Sequence, residues 1–201
     1  MKILPSRLPP TFPARPINGG ALTSSSPRPG WRYEPKYNGW RALVHAPAGT
    51  MFNRHGQRLS IEGTFHAALA RLRHLPYWLD CEALDRRHGL GRGALIILDV
   101  LLPALPGRDP PDYKERRSLL GDIFPVLQIS KVPEPNSLHV PPSFSCAEVF
   151  PSYQTLQSIN REWNAPFYEG VVGKKVASIY PLQLRSADQE FPFWQKHRWR
   201  F

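Results

Sequence analysis

Two apolar segments, residues 77–84 and 94–101, constrain the fold of this chain more than any other feature. Each is rich in aliphatic or aromatic side chains and is interrupted only by isolated acids, Asp80 and Glu82 in the first and Asp99 in the second. Short apolar runs of this kind are typical of buried strands. The sequence therefore predicts buried strands that direct single carboxylates toward a site.

The remaining pattern mixes further strands with short helices. Phe65, Leu69 and Leu72 recur at helical spacing over residues 64–74, with Thr64 as the expected N-cap. Residues rich in proline and serine predict a loop over 131–145. The other predicted strands cover residues 40–45, 51–54 and 169–176, and the other predicted helices cover residues 113–120 and 153–163.

The N-terminal segment differs in composition from the rest of the chain. Residues 1–30 are rich in proline and include the run Ser24-Ser25-Ser26, so they offer few backbone donors and little apolar periodicity. This segment is predicted to be either an extended arm or a packed lead-in. The chain of 201 residues is long enough to bury a proper core, and residues 31–201 are assigned to one domain.

Composition narrows the expected partners and environment. The 26 basic residues outnumber the 16 acidic ones, and the resulting net charge of +10 suits a surface that neutralises phosphates. The two cysteines, Cys81 and Cys146, form neither a disulfide framework nor a metal-ligand spacing. No apolar run approaches the ~20 residues that span a bilayer. We expect a cytoplasmic protein with no membrane partner.

Two short segments that contain lysine carry the candidate chemistry. Residues 34–41 read Glu-Pro-Lys-Tyr-Asn-Gly-Trp-Arg, and residues 169–174 read Glu-Gly-Val-Val-Gly-Lys. Lys36 lies in the first of these segments. A lysine attacks a phosphate only as the neutral amine, so its surroundings must favour loss of the proton, commonly through other positive charges. The candidates for that charge are Lys174, Lys196 and Arg198.

In sequence order, these segments resemble the first and fourth signature motifs of the covalent nucleotidyltransferases, which include ATP-dependent DNA ligases, RNA ligases and mRNA capping enzymes. A lone K-x-x-G or D-x-E pattern is weak, because such patterns occur by chance in many chains. Several motifs in the correct order are far more specific. The further matches are residues 52–56 to the SRxG segment, 79–83 to the LDxEA motif, 98–99 to an aromatic-Asp pair, 115–120 to the helix that follows in DNA ligases, and 194–198 to the WxKxK motif.

The resemblance implies an α+β nucleotidyltransferase domain of the ligase type, with antiparallel sheets around an ATP pocket. In this family Lys36 would be the nucleophile that takes AMP from ATP with Mg²⁺ or Mn²⁺. Glu34 matches the position that reads the adenine amino group, which favours ATP over GTP. Glu169 and Glu82 would support the metal, and Glu82 would also bind a ribose hydroxyl. The other implied nucleotide contacts are Arg41, Arg54, Leu98, Val172, Lys174 (on the phosphates) and Lys196, and the implied nucleic-acid contacts are Arg54 and Arg198.

Three departures from the family pattern modify these expectations. Asn38 stands where the KxDG motif has aspartate, which removes a carboxylate near the nucleophile. Leu98 replaces the aromatic residue that stacks on the base, so adenine would be held by aliphatic contact. The chain ends at Phe201 without the OB-fold domain of DNA ligases and capping enzymes. We therefore expect either a partner that supplies an OB-like domain or partial substitution of that domain by the N-terminal segment.

Nicked nucleic acid is the expected partner, with DNA favoured over RNA because residues 79–83 and 115–120 resemble the DNA ligases. Two alternatives stay open. One is a catalytically weakened nucleic-acid-binding module of the same fold, which predicts salt-sensitive binding without a covalent nucleotide; the other is an RNA ligase. Trp194 and Trp199, interleaved with cations, also suit a nucleic-acid surface. Asp80 and Asp99 are expected to have structural roles as hydrogen-bond acceptors.

Overall fold

The computed structural model describes residues 16–23, 28–85, 93–127, 144–155, 168–182 and 189–198. The strands in these segments are β1 (Asn18–Ala21), β2 (Trp31–Tyr37), β3 (Trp40–His45), β4 (Thr50–Phe52), β5 (Trp78–Leu84), β6 (Ala94–Leu101), β7 (Val126–Leu127), β8 (Phe144–Ala147), β9 (Tyr168–Lys175) and β10 (Glu190–Arg198). The helices are α1 (His66–Leu72) and α2 (Tyr113–Ile123), with short 3-10 turns at Ala46–Ala48 and Glu62–Phe65. Neither α-helix has the length and apolarity needed to cross a bilayer, within these described segments.

The strands form two sheets. One has four strands in the order β1-β10-β9-β2, and the other has six in the order β4-β3-β5-β6-β8-β7. Most neighbouring strands are antiparallel, and the parallel pairs are β1/β10, β6/β8 and β7/β8. The predicted α+β class is confirmed, and the two apolar segments predicted as buried strands are the adjacent strands β5 and β6.

The side chains of β5 alternate between two environments. Cys81 is buried in a core that the six-stranded sheet shares with α1 and α2. Trp78 lies on the opposite face, in a core that also contains Trp194 of the four-stranded sheet. Because side chains on a strand alternate with a period of two, Asp80 and Glu82 share the face of Trp78. Both acids therefore point toward the space between the sheets.

Helix α2 confirms the helix predicted over residues 113–120 and extends it to Ile123. Asp112 accepts a hydrogen bond from the backbone N–H of Glu115 at 2.9 Å, and the Glu115 side chain accepts one from the N–H of Asp112 at 3.0 Å. This capping box satisfies two donors that the first turn leaves unpaired. The buried face of the helix carries Arg116 toward the sheet.

Two of the sequence predictions need correction. The predicted helix over residues 64–74 is shorter, because Thr64 lies inside the 3-10 turn Glu62–Phe65 and does not cap α1. The predicted loop over 131–145 is wrong at its end, since Phe144 and Ser145 belong to β8. The rest of that loop, and residues 156–163 of the predicted helix over 153–163, lie outside the described residues.

The described part of the proline-rich segment is a packed lead-in. Strand β1 pairs with β10, and the flanking Ile17 and Leu22 are only 5% and 6% exposed. Residues 16–22 therefore complete the four-stranded sheet. Residues 1–15 and 24–27 lie outside the described part, and the domain boundary at residue 31 stays a prediction.

Candidate active site

A cavity of about 290 Å³ opens between the two sheets. Its walls include every residue to which the family resemblance assigned a contact with nucleotide, metal or nucleic acid. These residues are Glu34, Lys36, Arg41, Arg54, Glu82, Leu98, Glu169, Val172, Lys174, Lys196 and Arg198. The fold thus brings side chains from six strands and a loop to one place, while their individual roles stay predictions.

Lys36, Glu169 and Arg198 form a cluster across three adjacent strands. Nζ of Lys36 forms an ion pair with Oε1 of Glu169, and Nη2 of Arg198 lies 2.8 Å from the same oxygen. In the sheet, Lys36 and Arg198 are both register partners of Gly170, the residue that follows Glu169. The strand pairing therefore places the candidate nucleophile, an acid and a second cation side by side.

The charges in this cluster influence one another. Burial alone would raise the pKa of Glu169, but its hydrogen bonds and ion pairs with Lys36 and Arg198 outweigh burial and hold it below the usual value. Glu169 is therefore a carboxylate shared by two cations. Burial and the nearby charge of Lys36 lower the pKa of Lys196. The cluster is thus an environment that disfavours further positive charge.

A second, deeper ion pair joins Glu34 to Lys174. The two charged groups are 2.7 Å apart and each side chain is 1% exposed. Tyr113 donates its hydroxyl to the other oxygen of Glu34 at 2.6 Å, and Lys174 donates to the carbonyl of Leu98 at 3.0 Å. Burial lowers the pKa of Lys174 despite the opposing effect of Glu34. A buried carboxylate thus compensates the charge of Lys174, and its expected phosphate role stays a prediction.

Leu98 occupies an irregular position on β6. The register between β5 and β6 shifts at this point, so that Asp80 pairs with Asp99 whereas Cys81 pairs with Ile97. Such a bulge places an additional residue on one strand and re-aims its groups. As a result the Leu98 carbonyl reaches Lys174, and its side chain lines the cavity.

Trp194 lines the cavity, whereas the sequence analysis placed it on a nucleic-acid surface. Its side chain is 2% exposed, and Nζ of Lys174 lies 4.0 Å from the centre of its ring. The interpretation of Trp194 as part of an exposed nucleic-acid surface is therefore wrong. Trp199, its predicted companion, lies outside the described residues.

Glu82 and Gly39 connect the turn after Lys36 to β5. The backbone N–H of Gly39 donates to Oε1 of Glu82 at 2.9 Å. A Cβ atom at residue 39 would lie 2.5 Å from the carbonyl oxygen of Ala83, so only glycine allows this approach. Burial raises the pKa of Glu82 to about 7, against the opposing effects of Arg41 and the Gly39 N–H. Glu82 therefore titrates near neutral pH.

Asp80 and Asp99, which lie directly opposite each other on β5 and β6, are each held by an arginine. Arg41 binds Asp80 through two nitrogens, both at 2.5 Å, and Arg116 binds Asp99 at 2.8 and 3.1 Å. Burial pushes the pKa of Asp99 upward, but Arg116 outweighs it and the net shift is downward. The partners of both acids support structural roles, and Arg41 reaches the cavity with its charge already compensated.

No protein-family model and no curated protein matches the chain. Solved structures do match: the ligase domain of M. tuberculosis LigD (20% identity, TM-score 0.61), a mycobacterial DNA ligase D complexed with ATP and MES (20%, 0.62), and the ATP-dependent DNA ligase of bacteriophage T7 in complex with ATP (16%, 0.55). Each match covers 92% of this chain. The chain has the nucleotidyltransferase-domain fold of ATP-dependent DNA ligases. It spans 59% and 60% of the two LigD structures and 68% of the T7 enzyme.

Within this nucleotidyltransferase fold, the sequence analysis missed one wall of the cavity. Pro16, Ile17, Asn18 and Gly19 all line it, and Asn18 accepts a hydrogen bond from Nζ of Lys196 at 2.8 Å. These residues sit in a proline-rich segment with no apolar alternation, so nothing in the local sequence indicated a strand.

Two carboxylates on the cavity wall, those of Glu169 and Glu82, bear on the expected metal. Among the described residues, no group of three or more His, Cys, Asp and Glu side chains could hold a metal ion by itself. Mg²⁺ is commonly bound through one or two carboxylates together with substrate phosphates. Glu169, which faces the cavity with part of its side chain exposed, fits that pattern, and Glu82 is the second carboxylate on the cavity wall.

Proposed function

We propose that this chain is the adenylation domain of an ATP-dependent polynucleotide ligase, with nicked DNA as the favoured substrate. The observation that carries the proposal is the cluster of Lys36, Glu169 and Arg198 on the wall of a cavity that also contains Glu34. A lysine among cations and one carboxylate suits attack on a phosphate. The solved structures with this fold include two DNA ligases in complex with ATP.

In the proposed first step, Nζ of Lys36 attacks the α-phosphorus of ATP. An N–P bond forms, the bond from phosphorus to the pyrophosphate oxygen breaks, and the amine loses its proton to solvent. A 5′-phosphate then attacks the same phosphorus, which breaks the N–P bond and transfers AMP to the nucleic-acid end. Attack of a neighbouring 3′-hydroxyl on that 5′-phosphate seals the nick and releases AMP.

The residues of the cavity have different roles in these steps. Glu169 orients Lys36 through their ion pair, and Lys196 and Arg198 provide positive charge for the phosphates. Glu34 and Lys174 offer an acceptor and a donor to the base. Glu169, with Glu82, would hold Mg²⁺, which when bound shields the charge that develops on the leaving pyrophosphate.

The deciding experiment is intact-mass measurement after incubation with ATP and Mg²⁺. The wild type is expected to gain the mass of one AMP, and Lys36→Ala is expected to gain none. Lys114→Ala is the matched control, since Lys114 is an exposed lysine on α2 that does not line the cavity. An adduct that persists in Lys36→Ala would overturn the assignment of the nucleophile.

The substrate is tested with the adenylated protein on matched nicked duplexes. Sealing of a DNA nick at a higher rate than an RNA nick supports the DNA assignment, and the reverse order identifies an RNA ligase. If the wild type forms no adduct with ATP, even with Mn²⁺ and after treatment with pyrophosphate, the enzymatic proposal fails. Salt-sensitive binding of nicked DNA in that case would identify a binding module of the same fold.

A further inference from the structure

The lysines and arginines of the cavity differ in the charge of their partners. Among the ion pairs of the described residues, four of these cations contact a carboxylate: Lys36 and Arg198 share Glu169, Arg41 binds Asp80 and Lys174 binds Glu34. Lys196 differs, because its Nζ donates to the neutral amide oxygen of Asn18 at 2.8 Å. Its positive charge is held in place without being cancelled by a hydrogen-bonded anion.

Strand β1 and the residue that follows it contact both the backbone and the charged tip of Lys196. The backbone N–H of Leu22 donates to the carbonyl of Lys196 at 2.8 Å, and Ala21 is its register partner. The side chain of Asn18, three residues before Ala21, binds Nζ. One short strand therefore fixes the backbone and the charged tip of the same lysine.

Asn18 is itself firmly placed. The side chain before it, Ile17, is buried in the core that contains Trp194, and Leu22 is buried in a second core. The residue after it, Gly19, passes so close to β10 that a Cβ atom would lie 2.9 Å from the carbonyl oxygen of Trp194. The amide of Asn18 thus comes from a well-packed element on the cavity wall.

We infer that Asn18 is a positioning residue that directs Lys196 toward the phosphates of the bound nucleotide while leaving its charge available to them. This inference rests on the proposed function, in which the cavity binds ATP. An ammonium group has three donors. One is taken by Asn18, and the other two remain for phosphate oxygens. An aspartate at residue 18 would hold the lysine equally well but would neutralise its charge. A neutral amide binds the lysine and leaves the charge uncompensated.

The test measures binding of inorganic pyrophosphate and of adenosine separately, by calorimetry. Asn18→Ala is expected to weaken pyrophosphate binding roughly tenfold, as for loss of a hydrogen bond that orders a charged group. Asn18→Asp is expected to weaken it at least as much. Adenosine binding is expected to stay unchanged in both variants, because neither change touches Glu34 or Lys174. Equal losses for adenosine and pyrophosphate would indicate general damage to the cavity and would overturn the inference.

A double-mutant cycle separates positioning from a merely structural effect. If Asn18 acts through Lys196, then Asn18→Ala causes no further loss of pyrophosphate binding in a Lys196→Met background. Additive losses contradict the inference. Gln195→Ala is the matched control, because this neighbouring amide bonds to Arg28 and does not line the cavity. Asn18→Ser, measured in parallel with melting temperatures, repeats the cycle should Asn18→Ala fail to fold.

The binding test of Asn18 gives its answer whether or not the protein forms an AMP adduct. A wild type that binds pyrophosphate but forms no covalent AMP refutes the proposed enzyme and leaves the positioning role to be decided by the same cycle. A wild type that forms the adduct, with Asn18→Ala binding pyrophosphate as tightly as the wild type, refutes the positioning role alone. A wild type with no measurable affinity for pyrophosphate also overturns it.

Discussion

The carboxylate of Glu34 and the ammonium group of Lys174 lie 2.7 Å apart, with both side chains almost entirely removed from solvent. This pair makes one part of the cavity wall electrically neutral. The part formed by Lys36, Lys196 and Arg198 has three cations, and the carboxylate of Glu169 is hydrogen-bonded to Lys36 and Arg198. A ligand with an uncharged ring at one end and phosphates at the other matches that division. The charge distribution therefore supports a nucleotide ligand independently of any motif.

Breaking the Glu34–Lys174 pair on one side is expected to destabilise the fold. Lys174→Met leaves a buried carboxylate without its counter-ion, and we expect the free energy of unfolding to fall by about 3 kcal/mol or more. Urea denaturation measures the change. The double variant Glu34→Gln/Lys174→Met is expected to lose less than the sum of the two single variants. Glu62→Gln is the control, since its partner Arg58 is 65% exposed and the loss should stay below about 1 kcal/mol.

The raised pKa of Glu82 predicts a pH-dependent stability. In the unfolded chain Glu82 ionises near its usual pKa of 4.5, whereas in the fold its pKa is about 7. Between these values the native state binds more protons, so the free energy of unfolding falls as pH rises from 4.5 to 7. Glu82→Gln removes this contribution. Melting temperatures should therefore decline less between pH 5 and pH 7.5 in the variant than in the wild type. Parallel declines would show that Glu82 does not titrate in this range.

Gly170 is expected to tolerate no side chain. A Cβ atom there would lie 1.9 Å from the carbonyl oxygen of His197, which is backbone of the neighbouring strand β10. Gly170→Ala should separate β9 from β10, lower the free energy of unfolding by roughly 3 kcal/mol or more, and abolish formation of the AMP adduct. Thermal unfolding and intact mass give the two readouts.

The control for that prediction is Gly121→Ala. A Cβ atom at Gly121, within α2, meets no atom within 4 Å. Alanine is favoured over glycine inside a helix, so this variant should be more stable by about 0.5–1 kcal/mol. Destabilisation of both variants to the same degree would contradict the steric explanation for Gly170.

Arg198 is expected to contribute to nucleic-acid binding through its charge. Its side chain is 68% exposed at the cavity, so the guanidinium can reach a phosphate beyond the nucleotide. Arg198→Gln should reduce the slope of log binding constant against log salt by about 0.9 for nicked DNA. Fluorescence anisotropy across a salt series measures this slope. Lys114→Gln is the control. An unchanged slope in Arg198→Gln would show that Arg198 does not contact the nucleic acid.

The sequence by itself determined which strands are buried and which residues are candidates for the site. Strands β5 and β6 follow from their apolar runs, and helix α2 lies where the sequence predicted a helix over residues 113–120. The residues of the candidate site were found from short motifs defined by residue type and spacing. These features are local, so they can be read along the chain.

The tertiary structure decided how the charges are paired. That Lys174 binds Glu34 depends on the register between β2 and β9, and that the Leu98 carbonyl joins them depends on a bulge in β6. The pairing of Asn18 with Lys196 joins residues 178 positions apart, through a strand whose own sequence has no apolar alternation. Such pairings arise from strand order and register, which the pattern of a single strand does not specify.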